Sequence, residues 1–329
     1  MTGPTGGLDD RREGAGWLAM DADAVDRVAL VDSRMGRRSG TSATPPPEVV
    51  VECVRRALDE DLRPDGDLTA VLLSEGAVVT ATIGARSAGV LAGSDCAVEA
   101  FRQVDPDIRV DWMRVDGDVL DAGEVMATVT GPLASVLTAE RTALNFVGHL
   151  SGIATLVARW VEVAGAGAVV WDTRKTTPGL RVLEKAAVRA GGGANHRANL
   201  SEWVMIKDNH LFGTDMVSAV NAARSRWSDR AVHVECDEVG QVGQALVAGA
   251  DAILLDNMAP GEVRACVELV AEWDGERPLL EASGGITLDV LADYAATGVD
   301  CISSGVLTNS APTLDVGLDL GPDLEGLSQ

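Results

Sequence analysis

AVHVECDEVGQVGQALVAGADAILLDNMAPGEVRACVELVAEWDGERPLLEASGGI, residues 231–286, decides the fold. It holds three short apolar runs, AVHVE (231–235), AILLD (252–256) and LLEAS (279–283). Stretches of helical pattern, around Val239 to Ala248 and Gly261 to Trp273, lie between them. An apolar run this short reads as a strand buried on both faces. Strand alternating with helix means parallel strands joined by crossovers. Working outward, AVVWD (168–172) and WVMIK (203–207) extend the pattern upstream. A helical stretch from Leu288 to Thr297 and the run DCISS (300–304) extend it downstream. Nearly every run ends in residues with chemical potential: Asp172-Thr173-Arg174-Lys175, Lys207, Glu235, Asp256, Ser283-Gly284-Gly285 and Ser304-Gly305. In a barrel such ends converge on one mouth, whereas in an open doubly wound sheet only the strands beside the switch point contribute. Six contributing ends favour a (β/α) barrel, and the six runs do not establish a full eight strands.

The remainder of the chain has a different grain. PEVVVECVRRALDEDL (47–62) has the pattern of an amphipathic helix. The runs AVVTATIGA, SAGVLAG, IRVDWMRVD and EVMATVTG, separated by Gly and Asp turns, then predict a small antiparallel or mixed sheet. Residues 133–165 read as helix, with an interruption expected at Ser151-Gly152. This divides the chain into an α+β unit over 48–150 and a barrel unit over 151–311. Residues 1–47, with MTGPTGG at one end and RRSGTSATPPP at the other, are an extension expected to be largely disordered, holding at most a short helix near Ala24 to Val31.

Composition narrows the function classes. A net charge of −23 argues against a nucleic-acid partner, because a phosphate backbone needs a basic face. No run approaches the roughly 20 apolar residues of a membrane span, and the N-terminus lacks the apolar stretch of a secretory signal. Five widely spaced cysteines without CxxC pairing fit a reducing, cytoplasmic setting. Against this acidic background, residues 173–210 carry seven basic and three acidic side chains. Such segregation is unfavourable through self-repulsion unless an anion sits there. Arg181, Lys185 and Arg189, spaced by four, are read as solvated charges along one helix.

Arg174, Lys175, His196, Arg197 and Lys207 would then offer many N–H donors to one cavity, suiting a ligand with more than one negative group. Glu235 and Asp256, on strand ends 21 residues apart, suit Mg²⁺, sugar hydroxyls or acid–base work. EASGGI, between strand and helix, presents backbone N–H groups to a phosphate, and SSGV supplies a second set. A lysine closing a barrel strand, as Lys207 does, also suits a Schiff-base aldolase, which is the rival chemistry.

Together these segments resemble the quinolinate phosphoribosyltransferases. The matching stretches are ARSAGVLAG, GPLASVLTAERTALNFVGHLSGIAT, DTRKTTPGLRVLEKAAVRAGGGANHRANL, IKDNH, ILLDNM, LEASGGI and GVDCISSGVLTNSAPTLD, in unbroken order from about Glu48 to Leu320. The resemblance implies an N-terminal α/β sandwich, joined by the C-terminal tail (312–329), packed against an incomplete α/β barrel of the type II phosphoribosyltransferase kind. It implies a homodimer and a reaction of quinolinate with phosphoribosyl pyrophosphate and Mg²⁺, without an organic cofactor. Nicotinate mononucleotide, pyrophosphate and CO₂ are the products, on the route to NAD. Arg141 resembles the arginine that reaches the partner's site, and Thr173, Arg174, His196 and Arg197 resemble the rest of the quinolinate clamp. Lys175 and Lys207 resemble the lysines facing the reacting anions. Glu235 and Asp256 resemble the ribose and Mg²⁺ carboxylates, and Ser283, Gly284, Gly285, Ser304 and Gly305 the 5′-phosphate loops. The chain departs from the family at Asn199, Ser304 and Asn309. At Asn309 the family more often has a histidine near the phosphate, and asparagine keeps a hydrogen bond there but no charge. A paralogue acting on another heterocyclic acid is the nearest alternative.

Overall fold

The computed structural model describes Met35 and residues 44–73 and 76–321. A helix, α1 (Pro47–Leu62), begins at a proline, which is tolerated in the first turn, and packs Val50, Val54 and Leu58 inward. Strands β1 (Val78–Ala85), β3 (Arg109–Trp112) and β5 (Val125–Pro132) form an antiparallel sheet with β12 (Val316–Leu320) in the order β12-β1-β5-β3. The chain's last strand therefore lies antiparallel beside β1, with Ile83 opposite Leu318. Between these strands come the short pair β2 (Gly89–Val90) and β4 (Val119–Leu120) and the helix α2 (Ser94–Val104).

Helix α3 (Leu133–Ala164) runs unbroken for 32 residues, so the interruption expected at Ser151-Gly152 does not occur. Those two residues are contact points. Ser151 Oγ accepts from the amide of Ala92 at 2.9 Å, and Thr155 Oγ1 accepts from that of Val90 at 2.9 Å. A Cβ on Gly152 would stand 2.1 Å from the carbonyl oxygen of Pro312, so only glycine lets the returning chain cross the helix here. A small polar pair that resembles a helix break is a seam between the helix and its neighbours.

The six apolar runs form one parallel sheet: β6 (Val169–Trp171), β7 (Val204–Ile206), β8 (Val232–Cys236), β9 (Ala252–Asp256), β10 (Leu279–Ser283) and β11 (Cys301–Ser303), in the order β6-β11-β10-β9-β8-β7. Helices α4 (Arg181–Ala190), α5 (Met216–Arg226), α6 (Val239–Ala248), α7 (Pro260–Ala271), α8 (Leu288–Ala295) and the one-turn α9 (Val306–Asn309) accompany it. Beyond β6 a lone parallel bridge joins Trp171 to Ala194, so residues 194–197 lie beside that edge and the barrel is incomplete.

The two-residue period of the strands sorts the interior. Val170, Ile253, Leu280 and Ile302 pack outward with the helices. Val169, Trp171, Ala252, Leu279 and Cys301 form a separate inner cluster with Ala194 and Trp203. Four of these open their strands, so this cluster is the floor of the barrel. Met35, 3% exposed, packs into it. The helix expected near Ala24 to Val31, and the disorder expected of the extension apart from Met35 and residues 44–47, lie outside the described residues.

Candidate active site

The opposite ends of the strands carry the polar residues. The register sets Asp256 beside Ser283, and Ser303 beside Trp171, so Asp172, Ser304, Ser283, Asp256, Glu235 and Lys207 follow one another around the rim. A cavity of about 960 Å³ opens along the β7 side. Arg174, Arg197, Trp203, Lys207, His210 and Arg230 are among its lining residues.

Arg197 is its most informative wall. The guanidinium belongs to a residue 6% exposed, Nη1 donates to the Trp203 carbonyl at a long 3.3 Å, and Nε has no hydrogen-bond partner among the described residues. Burial pushes its pKa down, and the neighbouring Arg174 adds to that shift, against Glu202 and Glu281. A buried, under-satisfied cation on a cavity wall is costly unless an anion completes it.

Lys207 closes β7 and is ion-paired with Glu235 of β8. Its amide donates to Nδ1 of His210 at 3.0 Å, which fixes the KDNH turn. Asp256 accepts from Nδ2 of Asn257 at 2.7 Å, and Asn257 sits at φ 56, the left-handed region. Gly284, at φ 92, passes so close to Asn257 that a Cβ would meet its Oδ1 at 2.3 Å. The ends of β9 and β10 are thus locked together. Ser303 and Ser283 share a hydrogen bond of 2.9 Å, Ser304 Oγ reaches the Ile286 carbonyl at 3.4 Å, and Lys175 lies across Gly305. Thr308 Oγ1 donates to the Lys175 carbonyl at 2.7 Å, and Thr173 Oγ1 accepts from the Lys175 amide at 2.9 Å. Gly285 lies at the exposed tip of its loop, and Asn309 is exposed at the end of α9, bonded to the Ser310 hydroxyl.

Of the predicted site residues only Arg174, Arg197 and Lys207 line this cavity; the strand-end and loop residues described above lie around the rim outside its lining, and two more stand further apart. His196 is buried beneath the cavity, its ring against Trp171 and Trp203. Arg141, on α3, lines a different hollow of about 480 Å³ with Arg56, Asn145 and His149.

The reading of Arg181, Lys185 and Arg189 as solvated helix charges is overturned. Lys185 is 3% exposed and donates to Asp172 Oδ1 at 2.5 Å and to the His196 carbonyl at 2.8 Å. Arg189 donates to Asn195, and Arg181 bonds Thr176 and the carbonyls of Ala198 and Arg174. Asp172 also accepts from the His196 amide at 2.7 Å and from Asn195 Nδ2 at 2.8 Å. The face of α4 that carries these cations looks inward and ties the 194–197 segment to the end of β6. Burial pushes the Asp172 carboxyl up, and Lys185 opposes it.

Sequence reasoning also missed His233 and Glu281. Both are buried, and with His196 they form a group whose ligand-type atoms lie within 4.8 Å of one another. They stand two residues before Glu235 and Ser283, and strand period places each pair on one face, so the signal was present.

Comparisons with known proteins agree with this fold. The family model described as quinolinate phosphoribosyl transferase, N-terminal domain, matches residues 67–151, and the one for the C-terminal domain matches residues 153–319. A nicotinate-nucleotide pyrophosphorylase (carboxylating) of Mycobacterium leprae is 43% identical over 279 residues, covering 82% of this chain and 96% of that protein. The human protein of the same name is 41% identical, with 84% and 93% covered. The solved nicotinate-nucleotide pyrophosphorylase from Francisella tularensis superposes with a TM-score of 0.82 at 35% identity, over 86% of this chain and all of that one. With both family domains matched in order and relatives above 40% identity across most of its length, the chain belongs to the quinolinate phosphoribosyltransferase family.

Proposed function

We propose that the chain transfers the phosphoribosyl group of phosphoribosyl pyrophosphate to the ring nitrogen of quinolinate, releasing pyrophosphate and CO₂ and leaving nicotinate mononucleotide, a step of NAD synthesis. Arg197 carries this reading: a buried guanidinium short of partners, with Arg174 on the wall of the same cavity along β7.

Arg174 and Arg197 grip the two carboxylates, with Thr173 beside them and His196 beneath. The grip aims the pyridine nitrogen at the anomeric carbon, which is positioning and electrostatics rather than covalent catalysis. As the new C–N bond forms, the bond to pyrophosphate breaks and its electron pair leaves with the diphosphate, next to Lys175. The ring nitrogen, now quaternary, holds the electron pair left on C2 when the adjacent carboxylate departs as CO₂, and C2 then takes a proton. Ser283, Gly284, Gly285, Ser304, Gly305 and Asn309 receive the 5′-phosphate. Glu235 and Asp256, hard oxygen donors on neighbouring strand ends, would hold Mg²⁺, which supplies neutralisation of the leaving diphosphate. Lys207, ion-paired with Glu235, belongs to the charged rim that suits anionic substrates, which favours the transferase reading over the aldolase one.

The remoteness of Arg141 from this cavity supports a homodimer in which that residue reaches the partner's site. The reacting units are residues 48–150 with the tail from 312, and residues 151–311. Among the described residues no helix is long and apolar enough to cross a membrane, and the five free cysteines fit a cytoplasmic setting. Incubation with Mg²⁺, phosphoribosyl pyrophosphate and quinolinate is expected to give nucleotide and CO₂ in equal amounts, and nicotinate in its place is expected to give neither. Nucleotide without CO₂, or no consumption of phosphoribosyl pyrophosphate, would sink the assignment.

A further inference from the structure

The two guanidinium groups assigned to the acceptor's carboxylates stand on separate pieces of chain. Arg174 follows β6, and Arg197 lies beyond Ala194, where the lone bridge to Trp171 ends the sheet. Residues 172–176 and 195–198 belong to neither helix nor strand. Burial lowers the Arg197 pKa, and the charge of Arg174 lowers it further, so the two cations feel each other. Like charges carried on irregular backbone move apart unless something holds them.

Arg181 spans the gap. It opens α4, and its Nε donates to Thr176 Oγ1 at 2.9 Å, its Nη1 to the Ala198 carbonyl at 3.0 Å and its Nη2 to the Arg174 carbonyl at 3.2 Å. One planar group thus joins the backbone of Arg174 to that of the residue after Arg197. All three acceptors are neutral, and a cation in the first turn of a helix faces the unfavourable end of its dipole. Neither ion pairing nor helix stability accounts for these bonds. Arg181 does not line the cavity, so direct contact with the acceptor does not account for them either.

The Arg197 stretch is also held on its other sides. The His196 amide donates to Asp172 at 2.7 Å, the His196 carbonyl accepts from Lys185 at 2.8 Å, and the Ala198 amide donates to Glu202 at 2.9 Å. Arg181 is the group that refers this stretch to Arg174. Lys175, on the pyrophosphate side, has its own anchor, because its carbonyl accepts from Thr308 at 2.7 Å.

We propose that Arg181 is a positioning residue for acceptor recognition: by bridging the Arg174 and Ala198 carbonyls it fixes the spacing of the two guanidinium groups, and so favours an acid with two neighbouring carboxylates over one with a single carboxylate. This rests on the quinolinate reading of the cavity. An acid with one carboxylate engages one arginine and is indifferent to the distance between them.

The test is the pair Arg181→Lys and Arg181→Gln. Lysine keeps the charge but replaces a rigid fork by one nitrogen, which cannot serve all three acceptors in the same geometry. Both variants are expected to raise the KM for quinolinate about tenfold or more, while the KM for phosphoribosyl pyrophosphate and the inhibition constant of nicotinate stay within about twofold. A quinolinate KM within twofold of wild type in Arg181→Lys would show that charge matters and the bridge does not. Equal weakening toward quinolinate and nicotinate would show general damage. Either result overturns the proposal, and should the glutamine variant not fold, the lysine variant decides. Hydrogen exchange checks the brace without reference to any acceptor. The His196 and Ala198 amides are expected to exchange at least about tenfold faster in the variants, and unchanged exchange also overturns the proposal. Faster exchange in the variants, in a protein whose wild type does not turn over quinolinate, would remove the quinolinate reading and leave the brace standing.

Discussion

Arg174 and His233 mark the two electrical regimes of the site. Arg174 is exposed on the cavity wall, so its removal spares the fold and tests the grip directly. A charge-assisted hydrogen bond contributes about 1.5–3 kcal/mol, or roughly 10–150-fold in binding. Arg174→Ala is therefore expected to lower kcat/KM for quinolinate at least tenfold, and a loss under threefold in a steady-state assay would discard its role. His233 lies in the dry interior. The unfolded chain takes a proton on this residue near pH 6.5, the folded chain only near pH 3. Between those values the unfolded state binds more protons, so stability falls as the pH drops through that window, by up to about 1.4 kcal/mol per pH unit. Urea titrations at pH 6 and 4.5 should show the slope, and His233→Gln should flatten it. At this scale the sequence was only partly legible. Arg174, Lys207, Glu235 and Asp256 could be found because each closes or follows an apolar run, and Arg197 because it lies in the basic stretch 173–210. Lys185 could not, since spacing by four locates a helix face without saying whether that face looks to water or to Asp172. His233 and Glu281 were legible in principle, through their two-residue offset from Glu235 and Ser283.

The elements were easier to read than their contacts. Parallel strands need apolar runs, and all six runs became strands of one sheet. The seam across α3 was not readable, because Ser-Gly inside a helical pattern weakens local helix propensity whether or not the helix breaks. Its meaning lies in Pro312, 160 residues further along the chain. Gly152→Ala has favourable propensity but places a Cβ against that carbonyl, and overpacking of this kind costs about 1–3 kcal/mol. The variant is expected to unfold at lower denaturant than the wild type, whereas Gly240→Ala, on the exposed side of α6 with nothing within 4 Å, is expected to match or exceed it. If both substitutions behave alike, the close approach has no energetic weight.

For the whole molecule, the separation of Arg141 from the other predicted clamp residues matters most. In a homodimer with shared sites, Arg141→Ala and Arg174→Ala damage opposite contributions to the same cavity. Each variant alone is expected to be nearly inactive. Dissociated and mixed in equal amounts, they should regain about a quarter of wild-type activity, because half the dimers are mixed and each of those has one intact site. No recovery would mean that each chain completes its own site. The floor of the barrel makes a second demand on the whole chain, since Met35, from outside the segment matched by the family, plugs it.

The strand at 316–320 completes a sheet whose other members lie between residues 78 and 132. During synthesis that first sheet emerges early and must wait, with the β1 edge unpaired, until residue 320 has left the ribosome. Throughout that interval its open backbone is a template for any passing strand. The parallel barrel has no such wait for its own six strands. Translation thus delivers all six barrel strands before the sheet beside them has closed its border, and a chain lacking its last strand would carry an adhesive flank.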